Sequence, residues 1–276
     1  MKRKEILKKY AKGNKDAKLK VISLGMGVQS TALYLMSSMG YKIPRADVSI
    51  FSDPQAEHYK TYEMLDWLIN WQKENDGIPI IINRNYNIFE DQMKTPTGAR
   101  VPSIPAHTEE SGILMRQCTE TYKINPVKES IRKIHKLEPK KRMKETELWL
   151  GISLDEIQRM KESRMYNIKY FYPLIYHSMT RNDCIDFFKH NNFPIPIKSS
   201  CVFCPYHSDK YWKDMQKENG DAWNISVKVD KAIRVKKNLD QKLYLSSRCK
   251  PLDEIDFDDG QLEMFEGYDC EGYCGL

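Results

Sequence analysis

Cysteine is the residue type that offers this sequence the most chemistry. Seven cysteines occur among 276 residues, and their grouping is uneven. Cys201 and Cys204 form the run CVFCP, Cys118 lies in RQCTETYKINP, and Cys270 and Cys274 lie in DCEGYCGL. Thiolates at C-x-x-C spacing bind metals or carry out redox reactions. In a cytoplasmic protein, such cysteines indicate metal or redox chemistry rather than structural disulfides.

The C-x-x-C segment also has the spacing of a zinc site. CVFCPYH follows the pattern C-x2-C-x2-H, and His207 together with Cys118 would complete four ligands around one ion. The ligand types and spacing leave three alternatives open, which are an iron–sulfur cluster, a zinc ion and thiols without a metal.

A glycine-containing turn offers a second kind of chemistry. The stretch VISLGMGVQSTALYLMSSMG begins as an apolar strand, passes through Gly25, Gly27, Gln29, Ser30 and Thr31, and continues at helical spacing. The backbone N–H groups of the turn, the positive end of the helix and the two hydroxyls would form an anion site that suits phosphate. The alternative is a plain turn in which Ser30 or Thr31 only caps the helix. Neither the dinucleotide spacing G-x-G-x-x-G nor the Walker Gly-Lys-Ser/Thr is present in this stretch.

The charge of the chain is unevenly distributed. The net charge is +6 at pH 7, with lysines crowded at the N-terminus and in KESIRKIHKLEPKKRMK, whereas LDEIDFDDGQLEMFEGYDCE is acidic. Such basic runs are either solvated helix faces or binding surfaces for a phosphate-rich partner. No apolar run has the length of a membrane span, and the N-terminus carries charges where a signal peptide needs an apolar region. We therefore expect a cytoplasmic protein without membrane association.

Hydrophobic periodicity predicts strands that alternate with helices. The predicted strands are LKVISL, ADVSIFSD, IPIIINR and TELWLGIS, and the predicted helices are residues 28–39, HYKTYEMLDWLINWQKE, NPVKESIRKIHKL and TRNDCIDFFKH. Cys184 in the last helix is expected to be a small core residue. Residues 85–117 are predicted to be an irregular loop long enough for an active-site lid.

This alternation predicts an α/β fold with a mainly parallel, doubly wound sheet and ligands at the carboxyl ends of its strands. The chain length suits one large α/β domain with an appendage. We expect a basic extension at residues 1–17, the nucleotide-binding domain at 18–200 and a C-terminal segment with the C-x-x-C pair and the cysteine-rich tail at 201–276.

Polar residues follow the predicted strands in an order that resembles a known superfamily. Together with the glycine turn, these segments are similar to the PP-loop superfamily of adenine-nucleotide enzymes, in particular to its phosphoadenosine phosphosulfate reductase-like branch. The resemblance covers residues 18–212 and implies the adenine nucleotide alpha hydrolase-like form of the fold. The residues that carry it after the later strands are Asp53, Glu57, Thr61, Arg116, Cys118, Lys123, Gly151, Ser153, Asp155, Glu156, Arg159 and Arg164.

The resemblance implies an adenine-nucleotide site at the turn after the first strand. Asp53 lies where the family contacts the adenosine, and Lys123, Asp155 and Arg164 lie where it places groups around the charged end of the substrate. ATP-cleaving members have an aspartate at the position of Gln29, which helps to organise the metal on the pyrophosphate. The implied ligand is therefore either ATP, with or without Mg²⁺, or a sulfonucleotide. Sulfonucleotide reductases tolerate glutamine at this position. The implied nucleotide-binding residues are Ser23, Gly25, Gly27, Gln29, Ser30, Thr31, Asp53 and Gly151.

The resemblance also implies that Cys118, Cys201 and Cys204 bind a 4Fe–4S cluster beside the nucleotide. Cluster-bearing reductases have a Cys-Cys pair where this chain has Gln117-Cys118. This chain therefore has three cysteine ligands, and one iron of the cluster would be free or bound by another group. Non-redox thiolation enzymes use such a three-cysteine cluster to hold exogenous sulfide. The terminal GYCGL resembles the Glu-Cys-Gly-Leu-His on which sulfonucleotide reductases carry their attacking cysteine, so Cys274 is a candidate catalytic nucleophile. The alternative is a tail that docks as structure or supplies a cluster ligand.

Three functions stay open from the sequence. The one we favour is iron–sulfur-dependent sulfur transfer, with a nucleic acid or nucleobase as acceptor and a sulfur-donor protein as partner. The second is a sulfonucleotide reductase that uses Cys274 and takes electrons from thioredoxin or glutaredoxin. The third is a nucleotide-binding module without turnover. The oligomeric state is left open, a homo-oligomer included.

Overall fold

The computed structural model describes residues 13, 17–94, 104–110, 112–218, 220–235 and 241–258. The chain divides into two compact units that interleave along the sequence. The first consists of Met1–Ser52, Tyr59–Asn83 and Pro126–Ser199, and the second of Asp53–His58, Arg84–Asn125 and Ser200–Leu276. Cys270, Cys274 and nearly all of the basic extension at residues 1–17 lie outside the described residues.

The secondary structure alternates strands and helices over most of the described chain. The strands are β1 (Leu19–Leu24), β2 (Val48–Ser52), β3 (Ile80–Asn83), β4 (His107–Thr108), β5 (Gly112–Ile113), β6 (Thr146–Leu150) and β7 (Ile168–Phe171). The α-helices are α1 (Val28–Met39), α2 (Tyr59–Glu74), α3 (Ile88–Lys94), α4 (Asn125–Ile134), α5 (Pro173–Tyr176), α6 (Arg181–His190), α7 (Asp209–Glu218) and α8 (Asp221–Ile233). A π-helix (Glu120–Ile124) precedes α4, and 3-10 turns cover Leu154–Arg159 and Leu252–Glu254. Within the described residues, every helix is too short or too polar to cross a bilayer.

A five-stranded parallel sheet forms the centre of the first unit. Its strand order is β3-β2-β1-β6-β7, so the order reverses between β1 and β6. Right-handed crossovers in the two directions place helices on both faces of such a sheet. All residues of β2 and β6 are buried, and their apolar pairs and runs, IF in β2 and LWL in β6, suit strands that are covered on both sides. The predicted α/β fold with a parallel, doubly wound sheet is confirmed.

The core of the first unit lies around α1, which packs against β1 and α6. Tyr34 of α1 is fully buried, and its hydroxyl donates a hydrogen bond to the Ile78 carbonyl at 2.7 Å. Cys184 of α6 is also fully buried, and burial raises the pKa of its thiol to about 12. The prediction that Cys184 is a core residue is confirmed.

Our prediction of an irregular loop over residues 85–117 is wrong in part. The segment contains α3 and the antiparallel pair of β4 and β5. The Asn87 side chain accepts a hydrogen bond from the Glu90 backbone N–H at 3.0 Å and so caps the start of α3. The Tyr122 hydroxyl donates to Asp91 of the same helix at 2.8 Å. A helix of 7 residues is too short to show periodicity in the sequence, and contacts from other parts of the second unit hold it.

A buried carboxylate organises the C-terminal part of the second unit. Asp230 in α8 accepts hydrogen bonds from the backbone N–H groups of Leu245 at 2.9 Å and Leu252 at 3.2 Å. Arg234 forms an ion pair with the same carboxylate. Burial raises the pKa of Asp230, and these donors oppose that rise. The carboxylate thus ties α8 to the segment at residues 241–258.

Candidate functional site

The turn after β1 is the candidate anion site of the first unit. Met26, between the two glycines, has a left-handed backbone with φ of 59°. The Ser30 hydroxyl accepts a hydrogen bond from the Gly25 N–H and donates one to the Gly27 carbonyl, both at 3.2 Å. Within the described part of the chain, no side chain caps the first turn of α1. Since neither Ser30 nor Thr31 caps the helix, the N–H groups of its first turn are available to an anion.

Glycine at position 27 is not required by the backbone or by the packing of the described residues. Its φ is −88°, which other residues adopt without strain. Apart from Gly27 itself and its two neighbours in the chain, no atom of the described residues lies within 4 Å of the position that a Cβ would take. This open space beside the backbone is what a phosphate group would need in order to approach the turn.

Gly151, in contrast, is required by packing against the same turn. Ser23 pairs with Leu150 in the sheet, so the chain leaves β1 and β6 side by side. A Cβ on Gly151 would lie 2.6 Å from the Ser30 Cα and 2.7 Å from the Ser30 nitrogen, far inside normal contact distance. The strand order reverses at this point, which is where open α/β sheets bind ligands.

Gln29 is held by a residue that the sequence analysis did not select. Its side chain is almost completely buried, and its Oε1 accepts a hydrogen bond from Arg181 Nη1 at 3.0 Å. Its Nε2 donates to the Ser153 hydroxyl at 3.5 Å. Arg181 is the first residue of α6, which begins with a capping box formed by Thr180 and Asp183. That capping box is the local signal that places Arg181 at a helix start, but no local pattern pairs it with Gln29.

The other predicted site residues of the first unit lie at several places around the turn and the sheet. The Asp155 carboxylate accepts a hydrogen bond from the Arg181 backbone N–H at 3.0 Å. The Thr31 hydroxyl is buried without a hydrogen-bond partner among the described residues. Ser23 lies within β1, and Arg164 is exposed on the segment between the 3-10 turn and β7. The structure therefore brings Gln29 and Asp155 together around Arg181, and the roles predicted for Thr31 and Arg164 stay predictions.

The second unit contains a cavity that all three predicted metal ligands line. Cys118, Cys201 and Cys204 lie on its wall, together with Arg116 and Lys123. Its volume is about 40 Å³, which is enough for more than one water-sized atom. Apart from Thr119, the remaining lining consists of prolines, isoleucines and aromatic residues. Cationic groups beside thiols favour the thiolate form that binds metals or attacks electrophiles.

Two local structures position the cysteines. Residues 201–207 form consecutive turns, in which the Cys204 N–H donates to the Cys201 carbonyl at 3.0 Å. Cys201 also forms a β-bridge with Glu57. The Glu57 carboxylate accepts a hydrogen bond from the Lys123 ammonium at 3.4 Å. Lys123 belongs to the π-helix that begins two residues after Cys118, so this ion pair joins the two cysteine-bearing segments.

The donor set fits thiolate ligation by type, although it does not surround a single ion. Within the described residues, no three His, Cys, Asp or Glu side chains are arranged to hold one metal ion. His207, the fourth ligand of the zinc alternative, hydrogen-bonds through Nε2 to the Cys201 carbonyl at 2.8 Å and stacks on Tyr211. In an iron–sulfur cluster each cysteine thiolate binds a different iron atom. The cysteine sulfurs therefore lie farther apart around a cluster than around one zinc ion. Both metal alternatives stay predictions.

Asp53, the predicted adenosine contact, makes strong local interactions in the second unit. Its carboxylate accepts hydrogen bonds from Arg84 Nε and from the Gln55 backbone N–H, both at 2.8 Å. Its side chain is almost completely buried. The carboxylate thus organises the chain after β2, and its contact with a nucleotide stays a prediction.

Comparison with known proteins adds little beyond these observations. No protein-family model matches the chain, and no curated protein matches it. Among solved structures, it is similar to the crystal structure of phosphoadenylyl-sulfate (PAPS) reductase from Candida auris in a phosphate complex, with a TM-score of 0.39 and 13% sequence identity. That match covers 64% of this chain and 74% of the reductase chain. At this similarity no activity carries over, and the residues of this chain have to indicate its function.

Proposed function

We propose that this protein is an enzyme that binds an adenine nucleotide at the turn after β1 and transfers sulfur at the cysteine-lined cavity of the second unit. The observation that carries the proposal is that Cys118, Cys201 and Cys204, from two distant parts of the sequence, line one cavity with Arg116 and Lys123. Thiols beside cations are the arrangement that sulfur chemistry and thiolate ligation both need. The anion-binding features of the first unit support a nucleotide as co-substrate.

The three cysteines would hold a 4Fe–4S cluster that leaves one iron for an exogenous ligand. Such a cluster, when bound, supplies a site for sulfide. Arg116 would balance part of the negative charge of the thiolates, whereas the Lys123 ammonium is paired with the Glu57 carboxylate.

A basic surface on the first unit supports a nucleic acid as the acceptor. Lys136 and Lys140 have left-handed backbone conformations, with φ of 53° and 67°, at positions where glycine or asparagine is usual. Arg132 donates hydrogen bonds to the Glu138 and Lys141 carbonyls at 2.6 and 2.8 Å and so shapes this segment. The surface that we name the basic segment consists of Lys136, Lys140, Lys141, Arg142 and Lys144, all of which are exposed.

An aromatic ring lies next to the basic segment. The Arg142 guanidinium lies 5.6 Å from the centre of the Tyr166 ring, and Tyr166 is 65% exposed. Exposed aromatic rings beside cations are typical of surfaces that bind single-stranded nucleic acid, because bases stack on them.

The metal content tests the proposal most directly. We expect anaerobically purified protein to contain roughly four iron atoms and four sulfides per chain. Cys118→Ala, Cys201→Ala and Cys204→Ala should each lose both, whereas Cys249→Ala, a control in the same unit but away from the cavity lining, should keep them. Stoichiometric zinc without iron in aerobic and anaerobic preparations would remove the basis of the sulfur-transfer proposal.

Nucleic-acid binding is tested separately through its salt dependence. The triple variant Lys140→Glu, Lys141→Glu and Arg142→Glu should bind single-stranded RNA more weakly, with the slope of log K against log salt reduced by about 2, since each lost phosphate contact contributes about 0.7. Equal slopes in this variant and in a charge-matched control would contradict nucleic-acid binding at the basic segment. The control carries substitutions on α2 and α6, namely Lys60→Glu, Lys73→Glu and Lys189→Glu.

A sulfonucleotide reductase is the second candidate, and Gln29 favours it. A neutral amide takes the place of the aspartate that would organise a metal on pyrophosphate, so the turn suits a ligand that is not cleaved with a metal. Incubation with phosphoadenosine phosphosulfate and with adenosine phosphosulfate, followed by intact mass measurement, tests this candidate. A sulfo adduct on Cys274 would establish the reductase in place of the thiolation enzyme.

A further inference from the structure

In the hydrogen bond between Arg181 and Gln29, the donor and the acceptor are defined by their chemistry. A guanidinium only donates hydrogen bonds, so the carbonyl oxygen of the Gln29 amide faces Arg181 and its NH₂ group faces Ser153. Gln29 lies in the first turn of α1, where the backbone N–H groups are available to an anion. The guanidinium is therefore connected to the first turn of α1 through the Gln29 side chain.

An amide and a carboxylate at position 29 would have opposite effects on Arg181. The Gln29 amide orients the guanidinium without neutralising its charge, whereas an aspartate or glutamate would form an ion pair with it. Arg181 is exposed, so its remaining N–H groups can reach a ligand. Of the two acids on the 3-10 turn, Asp155 accepts the Arg181 backbone N–H at 3.0 Å and Glu156 pairs with Arg159 at 2.7 Å, and the guanidinium itself donates to Gln29.

We propose that Arg181 binds the anionic end of the nucleotide at the turn after β1 and supplies the positive charge that a divalent cation would otherwise bring. The ligand class is a nucleotide with a terminal phosphate or sulfate, which matches the planar fork of a guanidinium. This inference rests on the nucleotide binding that we proposed above. Its consequence is that nucleotide binding at this site is independent of Mg²⁺.

Nucleotide titrations by calorimetry, in EDTA and in Mg²⁺, test this inference with ATP and with phosphoadenosine phosphosulfate. Wild-type affinity should be the same in both buffers. Arg181→Gln should weaken binding in EDTA by about 10- to 100-fold, the usual loss for a hydrogen bond to a charged group, and Mg²⁺ should restore part of it. The nucleotide affinity of Arg181→Lys should lie between those of the wild type and of Arg181→Gln, because lysine keeps the positive charge and lacks the planar fork of the guanidinium.

A second variant tests the same idea from the side of the glutamine. Gln29→Glu should weaken binding in EDTA, since its carboxylate would neutralise Arg181, and it should make binding dependent on Mg²⁺. Lys189→Gln, at the other end of α6, is the matched control and should behave as wild type. Thermal unfolding should stay unchanged in Arg181→Lys, which separates lost binding from a lost contact between α1 and α6.

The possible failures are distinguishable. Wild-type affinity of Arg181→Gln in EDTA, with binding lost in Gly27→Trp, would overturn the role of Arg181 and leave the nucleotide site in place. Wild-type binding that requires Mg²⁺ would also overturn it. Absence of adenine-nucleotide binding to the wild-type protein in both buffers would overturn the proposed function, and the inference with it.

Discussion

Substitution of Gly151 by alanine is the perturbation whose effect follows most directly from the structure. The new Cβ would lie 2.6 Å from the Ser30 Cα and 2.7 Å from its nitrogen. Carbon atoms in contact prefer about 3.5–4.0 Å, so the turn after β1 has to move by roughly 1 Å. Both contacts are to backbone atoms or to Cα, so no side-chain rotation relieves them.

Two magnitudes follow from this displacement. Overpacking costs about 1–3 kcal/mol of unfolding free energy, which for a chain of this size lowers the Tm by roughly 2–12 °C. A shift of 1 Å takes an N–H donor out of hydrogen-bonding range of a phosphate oxygen, and such charge-assisted bonds contribute about 1.5–3 kcal/mol. Nucleotide affinity should therefore fall by about 10- to 100-fold.

The matched control is Gly27→Ala, for which the structure predicts a different pattern. Its Cβ meets no described atom within 4 Å and its backbone is extended, so the Tm should stay unchanged. Nucleotide affinity should still fall, because the methyl group enters the space of the phosphate. Calorimetric titration and thermal unfolding of both variants measure the two effects. Wild-type Tm and affinity in Gly151→Ala would refute the packing argument, and wild-type affinity in Gly27→Ala would refute the position of the ligand.

Three further predictions concern other parts of the chain. Asp230→Ala should lower the unfolding free energy by about 3–5 kcal/mol in urea titrations, because Arg234 and two N–H groups lose their buried acceptor, whereas Asp253→Asn on the surface should change little. Burial lowers the pKa of His107 below 6.5. The stability that the neutral ring contributes is therefore complete above the pKa of the unfolded state and is lost as the pH falls through the pKa of the folded state. His107→Asn should flatten the acid side of a curve of Tm against pH. Cys274→Ala should leave nucleotide affinity intact and reduce activity only partly, and complete loss of activity would favour the reductase.

Local patterns determined the elements that carry the candidate site. The apolar periodicity of β1 and α1 and the glycines between them are contained in one short stretch, so the strand, turn and helix could be predicted together. The C-x-x-C pair is equally local. The α/β class followed from the alternation of such elements, because parallel strands need helical crossovers. A weak local signal failed in α3, whose 7 residues are too few to show a helical period.

Only the tertiary structure decided which distant residues meet. The strand order brings Gly151 against Ser30 and allows Arg181 to reach Gln29, 152 positions away in the sequence. The fold of the second unit likewise brings Cys118 to the cavity of Cys201 and Cys204. Periodicity reports which face of an element is buried, and it contains no information about the element that covers that face. The arginine beside the glutamine and the shared cavity of the cysteines are therefore properties of the packing, because each depends on how sheet order and chain crossings close over long sequence separations.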